Sequence, residues 1–498
     1  MKELVQLTDA DNVAVALRDL AAGTVLASLS LSSDVPAGHK LAVRPIAAGE
    51  MVIKYGYPIG VALRSIATGE HVHSHNLKSV LADDFRGAPQ PRRPAAIHAR
   101  AVTAAFDGYR RADGRVGIRN EIWIVNTVGC VNHVAARIAD AAAREVVGPG
   151  SRITGVHAFS HPHGCSQLGR DLQATQKILA GLIRHPNAAA VLVLGLGCEN
   201  NQLAALLERA GPVDPERVAT FNAQEVPDEI EAGVERVRAL ARYADRFERV
   251  RVPASELILG MKCGGSDGLS GITANPLVGR VADQLTAAGG TVLLTEVPEM
   301  FGAEEVLLRR ATSSEVAART IQMVNAFRDY FRRHGEPIDE NPAPGNKSGG
   351  ITTLAEKSLG CVQKGGQAPV AEVLQYGEPA PARLGGIALV NAPGNDGVSS
   401  TALVAAGAHI VLFTTGRGTP MGFPSPTLKI STSSALANKK PGWIDFDAGP
   451  IATGAAEFPE LGQRLFELVL EVASGRTRTR SEVNGFREIT IWKDGVTL

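Results

Sequence analysis

The chain has 498 residues, with 51 basic and 51 acidic side chains and a formal net charge of zero. At roughly 100–200 residues per domain the length corresponds to two to four domains, and the balanced charge leaves no electrostatic footprint for nucleic acid or anionic lipid. Hydrophobic residues make up 44% and charged residues 20%, a globular composition that excludes disordered and fibrous classes.

The amino terminus, MKELVQLTDADN, lacks the apolar core of a secretory signal. The longest apolar runs, at 188–197 and 409–413, fall far short of the ~20 residues a membrane helix needs. The five cysteines are an odd number, and without a signal they read as thiols or metal ligands in a reducing cytoplasm rather than as disulfides.

Three segments of the first ninety residues echo one another: ALRDLAAG at 16–23, AVRPIAAG at 42–49 and ALRSIATG at 62–69. Each reads as a short apolar strand followed by a turn whose glycine supplies a positive φ. The expectation is a small all-β domain over residues 1–95. Residues 83–94, DDFRGAPQPRRP, combine mixed charge with three prolines and read as an exposed linker.

From residue 104 the pattern becomes α/β. Strands at 121–125, 153–157 and 188–194 alternate with helices at 134–146 and 203–209, and an amphipathic helix occupies 228–246. A second round of strands follows at 257–260, 292–295, 387–390 and 410–413. This alternation predicts largely parallel sheets with crossover helices, divided into domains at 104–245 and 250–498. Residues 341–366 are rich in Gly, Pro and Asn and read as a long loop, functional or disordered.

No P-loop, GxSxG elbow, HExxH or CxxC pair is present, and the Gly195–Gly197 segment breaks the dinucleotide glycine pattern. The chemistry-bearing residues lie in glycine-rich segments at strand ends. His71, His73 and His75 alternate, so an extended strand would present three imidazoles on one face, as a metal site or as a bare polar edge. Arg115 and Arg119 flank a turn that also carries Asn120, a suitable geometry for a bidentate carboxylate clamp or for a solvated turn. Cys165, Cys198, Cys263 and Cys361 each adjoin a glycine at a strand end, as convergent iron ligands or as small residues in tight turns. Ser266, Asp267, Ser270, Thr273 and Asn275 concentrate the short hydrogen-bonding groups a polyhydroxylated ligand requires. Further polar clusters surround Glu296 and Glu299, Asn395 and Asp396, and Arg417.

Taken in order, GYRRADGRVGIRNEIWIVNTVGC, HPHGCSQ, GLGCENNQ, KCGGSDGLSGITANP, KSLGCVQKGG and TTGRGTPMG resemble the altronate/galactarate dehydratase family over essentially the whole chain. The segment YGYPIGVALRSIATGEHVHSHN resembles its N-terminal SAF-type β-domain, and the ending SEVNGFREITIWKDGVTL is closer to its altronate-type members. The resemblance implies a hydro-lyase that dehydrates a sugar acid to a 2-keto-3-deoxy acid with ferrous iron, Mn²⁺ being an alternative. D-altronate, giving 2-keto-3-deoxy-D-gluconate, is the favoured substrate. The alternatives are galactarate or another hydroxy acid and, outside enzymes, a sugar-acid binding protein. The expected partner is a small-molecule sugar acid, with no nucleic acid or membrane, in a chain that can form a homo-oligomer.

Such a dehydration needs a cationic clamp on the carboxylate, a base for the adjacent proton and an acid for the departing hydroxyl. Arg115 and Arg119 are clamp candidates, and Lys357, Lys364 and Arg417 could form a second clamp. Lys262, Glu199, His161 and His163 are base candidates. Two metal sites compete: His73 with His75 on the β-domain, or Cys165, Cys198 and Cys263, with Cys361 as a further ligand, holding iron or an iron–sulfur centre.

Overall fold

The computed structural model describes residues 3–26, 29–82, 84–85 and 104–495. Of the segment read as a linker, residues 83 and 86–94 lie outside the described residues.

The amino-terminal unit is all-β. Its antiparallel four-stranded sheet is built from Leu4–Val5, Val13–Ala16, Lys40–Ala42 and His71–Val72, and a three-stranded sheet comprises Met51–Lys54, Tyr57–Ala62 and Leu77–Lys78. The sequence echo is physical. Gly23, Gly49 and Gly69 turn the chain at φ of 79°, 81° and 80°. Arg44 and Arg64 bind Glu50 and Glu70 across those turns at 2.8 and 2.6 Å, whereas Arg18 binds Glu3 instead.

The second unit carries a four-stranded parallel sheet in the spatial order Gly155–Ala158, Glu121–Asn126, Ala188–Gly195, Val218–Asn222. All eight residues of Ala188–Gly195 are buried, as expected for a strand covered on both faces. Helices Asn132–Val146 and Glu229–Ala244 cover one face, and Gly169–Arg184 and Leu203–Ala210 the other.

The third unit is built on a seven-stranded, fully parallel sheet: Val370–Leu374, Gly386–Val390, Thr291–Leu294, Ile258–Cys263, Ile410–Thr415, Thr427–Ser431, Phe446–Asp447. Strand Ala105–Arg110 pairs antiparallel with Arg249–Pro253, so the chain enters and leaves the second unit through one ribbon. No described helix is long and apolar enough to cross a membrane.

Residues 341–366 depart from their reading as a loop. They form the short helix Pro344–Lys347 and the helix Leu354–Cys361, whose eight residues are all buried. Thr353 caps the second helix by accepting from the Glu356 N–H. A helix buried all round has no amphipathic period to betray it, and tertiary packing rather than propensity stabilises it.

That helix anchors the β-domain. Glu356 accepts from Lys40 and Lys54, each at 2.8 Å, with all three side chains almost fully buried. Burial would raise the Glu356 carboxyl, but the two ammonium groups outweigh it and hold it at about 2, below its ordinary 4.5. A depressed carboxylate stabilises the fold above its unfolded value, and that contribution is lost as pH falls from about 4.5 through about 2. Glu356→Gln leaves two buried cations short of a partner and should cost about 3–5 kcal/mol at neutral pH. Unfolding midpoints should therefore separate variant from wild type at pH 7, draw together as pH falls below about 4.5, and converge only below about pH 2. A gap that persists in acid would contradict this assignment.

Candidate active site

The seven-stranded sheet reverses its winding direction beside its central strand. From Ile258–Cys263 the chain proceeds to Thr291–Leu294 on one side, and later crosses to Ile410–Thr415 on the other. Parallel sheets bind ligands outside the carboxyl ends of their strands at such a point. A cleft of about 900 Å³ opens there, lined by Cys263, Ser266, Glu299, Lys357, Asp396 and Arg417 among others.

Lys262 is the penultimate residue of the central strand and is fully buried. Its Nζ lies 2.8 Å from Asp396 Oδ1, donates to the Cys263 carbonyl at 2.8 Å, and pairs with Glu296. Burial disfavours the ammonium, but Glu296, Asp396 and Glu299 together raise its pKa well above the ordinary lysine value. These carboxylates favour the ammonium form of Lys262, one of the base candidates. Burial and neighbouring Glu299 push Glu296 up. Its backbone is left-handed, at φ 69° and ψ 69°, a strained conformation of the kind that collects at functional sites. Asp396 begins helix Asp396–Ala405, whose first turn is capped by Asn395 accepting from the Val398 N–H at 3.1 Å.

Beside Lys262, Cys263 and Cys361 place their sulfurs 3.3 Å apart, and Glu299 Oε2 lies 3.4 and 3.0 Å from them. The hydrogen bond from Cys361, aided by Lys364 and Lys262, lowers the Cys263 thiol to about 6 against the effect of burial. The same contact and burial raise Cys361. Burial opposes ionisation of Glu299, but Lys357, Lys262 and Lys364 hold its carboxyl well below the usual range. Two sulfurs and a carboxylate, all within 4.8 Å of one another, fit a divalent transition metal.

Three family models match in chain order: the altronate/galactarate dehydratase SAF domain over residues 2–80, the D-galactarate dehydratase/altronate hydrolase second domain over 108–245, and the D-galactarate/altronate dehydratase C-terminal domain over 254–497. This chain belongs to the altronate/galactarate dehydratase family. It is 50% identical to the altronate dehydratase of Escherichia coli K12 and 47% identical to that of Bacillus subtilis 168, covering both chains completely in each comparison. It is 34% identical to the galactarate dehydratase (L-threo-forming) of E. coli K12, over 96% of this chain and 94% of that one.

The family's motifs distribute over two sheets. Asp267, Ser270 and Asn275 line a smaller recess beneath the β-domain's Lys54 and Tyr55, and Ser266 lines both this recess and the cleft. Asp267 accepts from Ser270 at 3.1 Å and Thr432 at 3.0 Å. Asn275 donates to the Gly360 carbonyl at 3.0 Å, and the Thr273 hydroxyl is occupied by the Thr432 carbonyl at 2.8 Å. Lys364 donates to Cys263 Sγ at 2.8 Å, Lys357 pairs with Glu299 at 2.8 Å, and exposed Arg417 reaches Ser348 Oγ at 3.3 Å.

Arg115 and Arg119 are not brought to the cleft. Arg119 is buried in a two-pronged pair with Glu482, at 2.7 and 3.1 Å. Arg115 pairs with Asp113 at 2.6 Å near Arg383 and His409. Both precede strand Glu121–Asn126, which places them at the amino edge of a parallel sheet, opposite the ligand-binding edge. Asn120 supports the same region, donating to the Arg152 and Ala244 carbonyls at 3.0 Å.

Glu199, His161 and His163 sit at the carboxyl edge of the four-stranded sheet and do not line the cleft. Glu199 accepts from Thr127 and from the Leu196 and Gly197 N–H groups at 3.0 and 2.7 Å, which hold it low against burial. Burial brings His161 down to about 4, with its Nε2 on the Asn126 carbonyl at 2.9 Å. Cys165 and Cys198 are exposed in this unit, whereas Cys263 and Cys361 are buried in the third. The four cysteines therefore do not form one centre.

The histidines also differ from expectation. The strand ends at Val72, so His71, His73 and His75 do not line one extended face. His71 and His73 pack on His39, which the sequence pattern did not reveal, each with ring centroids 5.1 Å away, and His75 packs on His71 at 5.5 Å. Both His73 nitrogens are engaged, on Ser74 Oγ at 3.0 Å and the Lys347 carbonyl at 2.9 Å. Among the described residues, the donor set compact enough for one ion is Cys263, Glu299 and Cys361.

Proposed function

We propose that this chain dehydrates D-altronate to 2-keto-3-deoxy-D-gluconate and water in the cleft at the carboxyl edge of the seven-stranded sheet. The observation that carries the substrate is the full-length identity of 50% and 47% to two altronate dehydratases, against 34% to the galactarate enzyme. The five free thiols accord with a reducing cytoplasm.

In this reading Arg417 and Lys357 hold the substrate carboxylate, the guanidinium by a bidentate grip. Asp396 takes the C2 proton, its carboxylate oriented by the Lys262 ammonium 2.8 Å away. The cations Lys357 and Arg417 then face the charge that develops on the enediolate. The C3 hydroxyl leaves as water, taking the proton that Asp396 removed from C2, and the resulting enol tautomerises to the 2-keto acid. A ferrous or manganous ion held by Cys263, Glu299 and Cys361 would supply a Lewis acid for the departing hydroxyl.

Oxygen-free turnover of altronate and galactarate, with and without added Fe²⁺, tests the reading through 2-keto acid formation. Metal-dependent product from altronate is expected. Turnover of galactarate alone would overturn the substrate, and equal turnover after complete metal removal would overturn the metal's role.

A further inference from the structure

Three cysteines outside the cleft gather on the four-stranded sheet. Cys130, Cys165 and Cys198 follow strands Glu121–Asn126, Gly155–Ala158 and Ala188–Gly195, which are adjacent and parallel, and all three cysteines are exposed. Their loops are laced together. The Gly129 N–H donates to the His163 carbonyl at 2.9 Å, and the Asn201 N–H to the Gly164 carbonyl at 3.0 Å. The Ser166 N–H donates to Asn200 Oδ1 at 2.7 Å, and Asn201 Nδ2 to the Thr127 carbonyl at 2.9 Å.

The backbone is shaped for this approach. Gly164 has φ 101°, and a Cβ there would stand 2.1 Å from the Thr127 carbonyl oxygen. Ser166, directly after Cys165, is held in the left-handed region at φ 55°. Such strain persists where the surroundings enforce it. Beneath the loops, the buried side-chain oxygens of Asn126 and Asn201 have no hydrogen-bond partner among the described residues. Gln224 donates to Cys198 Sγ at 3.6 Å. Glu199, the carboxylate nearest in sequence to Cys198, is satisfied by Thr127 and two backbone N–H groups.

One thiol at each of three strand ends is a different pattern from the Cys263 cluster. Donors to a single ion crowd together, whereas thiolates on different irons of a cluster stand farther apart, as three neighbouring strand ends allow. We propose that Cys130, Cys165 and Cys198 ligate a cubane iron–sulfur cluster, leaving one iron without a protein sulfur and open to an oxygen ligand such as water or a carboxylate. On ligation each thiol gives its proton to solvent and its sulfur binds one iron, with no change in electron count. The site is distinct from the donor set of Cys263, Glu299 and Cys361.

The test is iron and acid-labile sulfide content of full-length protein purified without oxygen, with electron paramagnetic resonance after dithionite reduction. Wild type should carry about four sulfides per chain, the content of such a cubane. Cys130→Ser, Cys165→Ser and Cys198→Ser should each reduce sulfide at least tenfold and abolish the reduced-cluster signal, with an unchanged circular dichroism spectrum. Cys263→Ser should retain the sulfide. Iron without sulfide in wild type would overturn the proposal, as would full sulfide in Cys130→Ser or sulfide lost in Cys263→Ser.

Discussion

Asp396→Asn should lower kcat on altronate by about 10²–10⁴-fold, the usual contribution of a positioned general base. The amide matches the carboxylate in shape but cannot accept the C2 proton. It can still face Lys262, whose ammonium also pairs with Glu296. Asp396 opens a helix whose cap belongs to Asn395, so removing its charge should cost only about 0.3–1 kcal/mol through the helix dipole. The proposed carboxylate clamp of Arg417 and Lys357 is untouched, so KM should change little while kcat collapses. Steady-state kinetics on a variant of unchanged melting temperature checks this. A variant that kept its kcat would remove Asp396 from the chemistry.

Cys361→Ser should lower bound divalent metal and turnover together. Serine keeps the size and a hydroxyl near Glu299 but replaces a soft sulfur donor with a weakly acidic oxygen. Lewis-acid stabilisation is worth several kcal/mol, so turnover should fall by about 10²–10³-fold at fixed metal concentration. Excess metal should restore part of the rate, because Cys263 and Glu299 remain. Metal analysis beside kinetics separates the outcomes. Full metal content with lost activity would make Cys361 a packing residue, and full activity without metal would remove the ion from the reaction.

The fold was legible where periodicity decides it. The sequence strands at 121–125, 188–194 and 410–413 agree with Glu121–Asn126, Ala188–Gly195 and Ile410–Thr415. Their apolar runs are what burial on both faces requires. Helix Leu354–Cys361 is invisible to sequence periodicity because it is enclosed on all sides and shows no amphipathic stripe. For the site, sequence named Cys263, Cys361, Lys357 and Arg417 and gave Glu299 and Asp396 as polar clusters, but could not say which strand ends converge. Arg115 and Arg119 lie away from the cleft for a related reason: a residue before a parallel strand belongs to the opposite edge of the sheet from one after it. His39 is invisible in the sequence because it joins the histidine group from the residue before a different strand, through sheet pairing of Lys40–Ala42 with His71–Val72.

A crystal structure of Asp396→Asn with D-altronate would place the reaction most directly. The predicted complex has the carboxylate on Arg417 and Lys357, and C2 facing the residue 396 side chain above Lys262. Altronate seated instead at His161 and His163 on the four-stranded sheet, or among His39, His71 and His73, would contradict it.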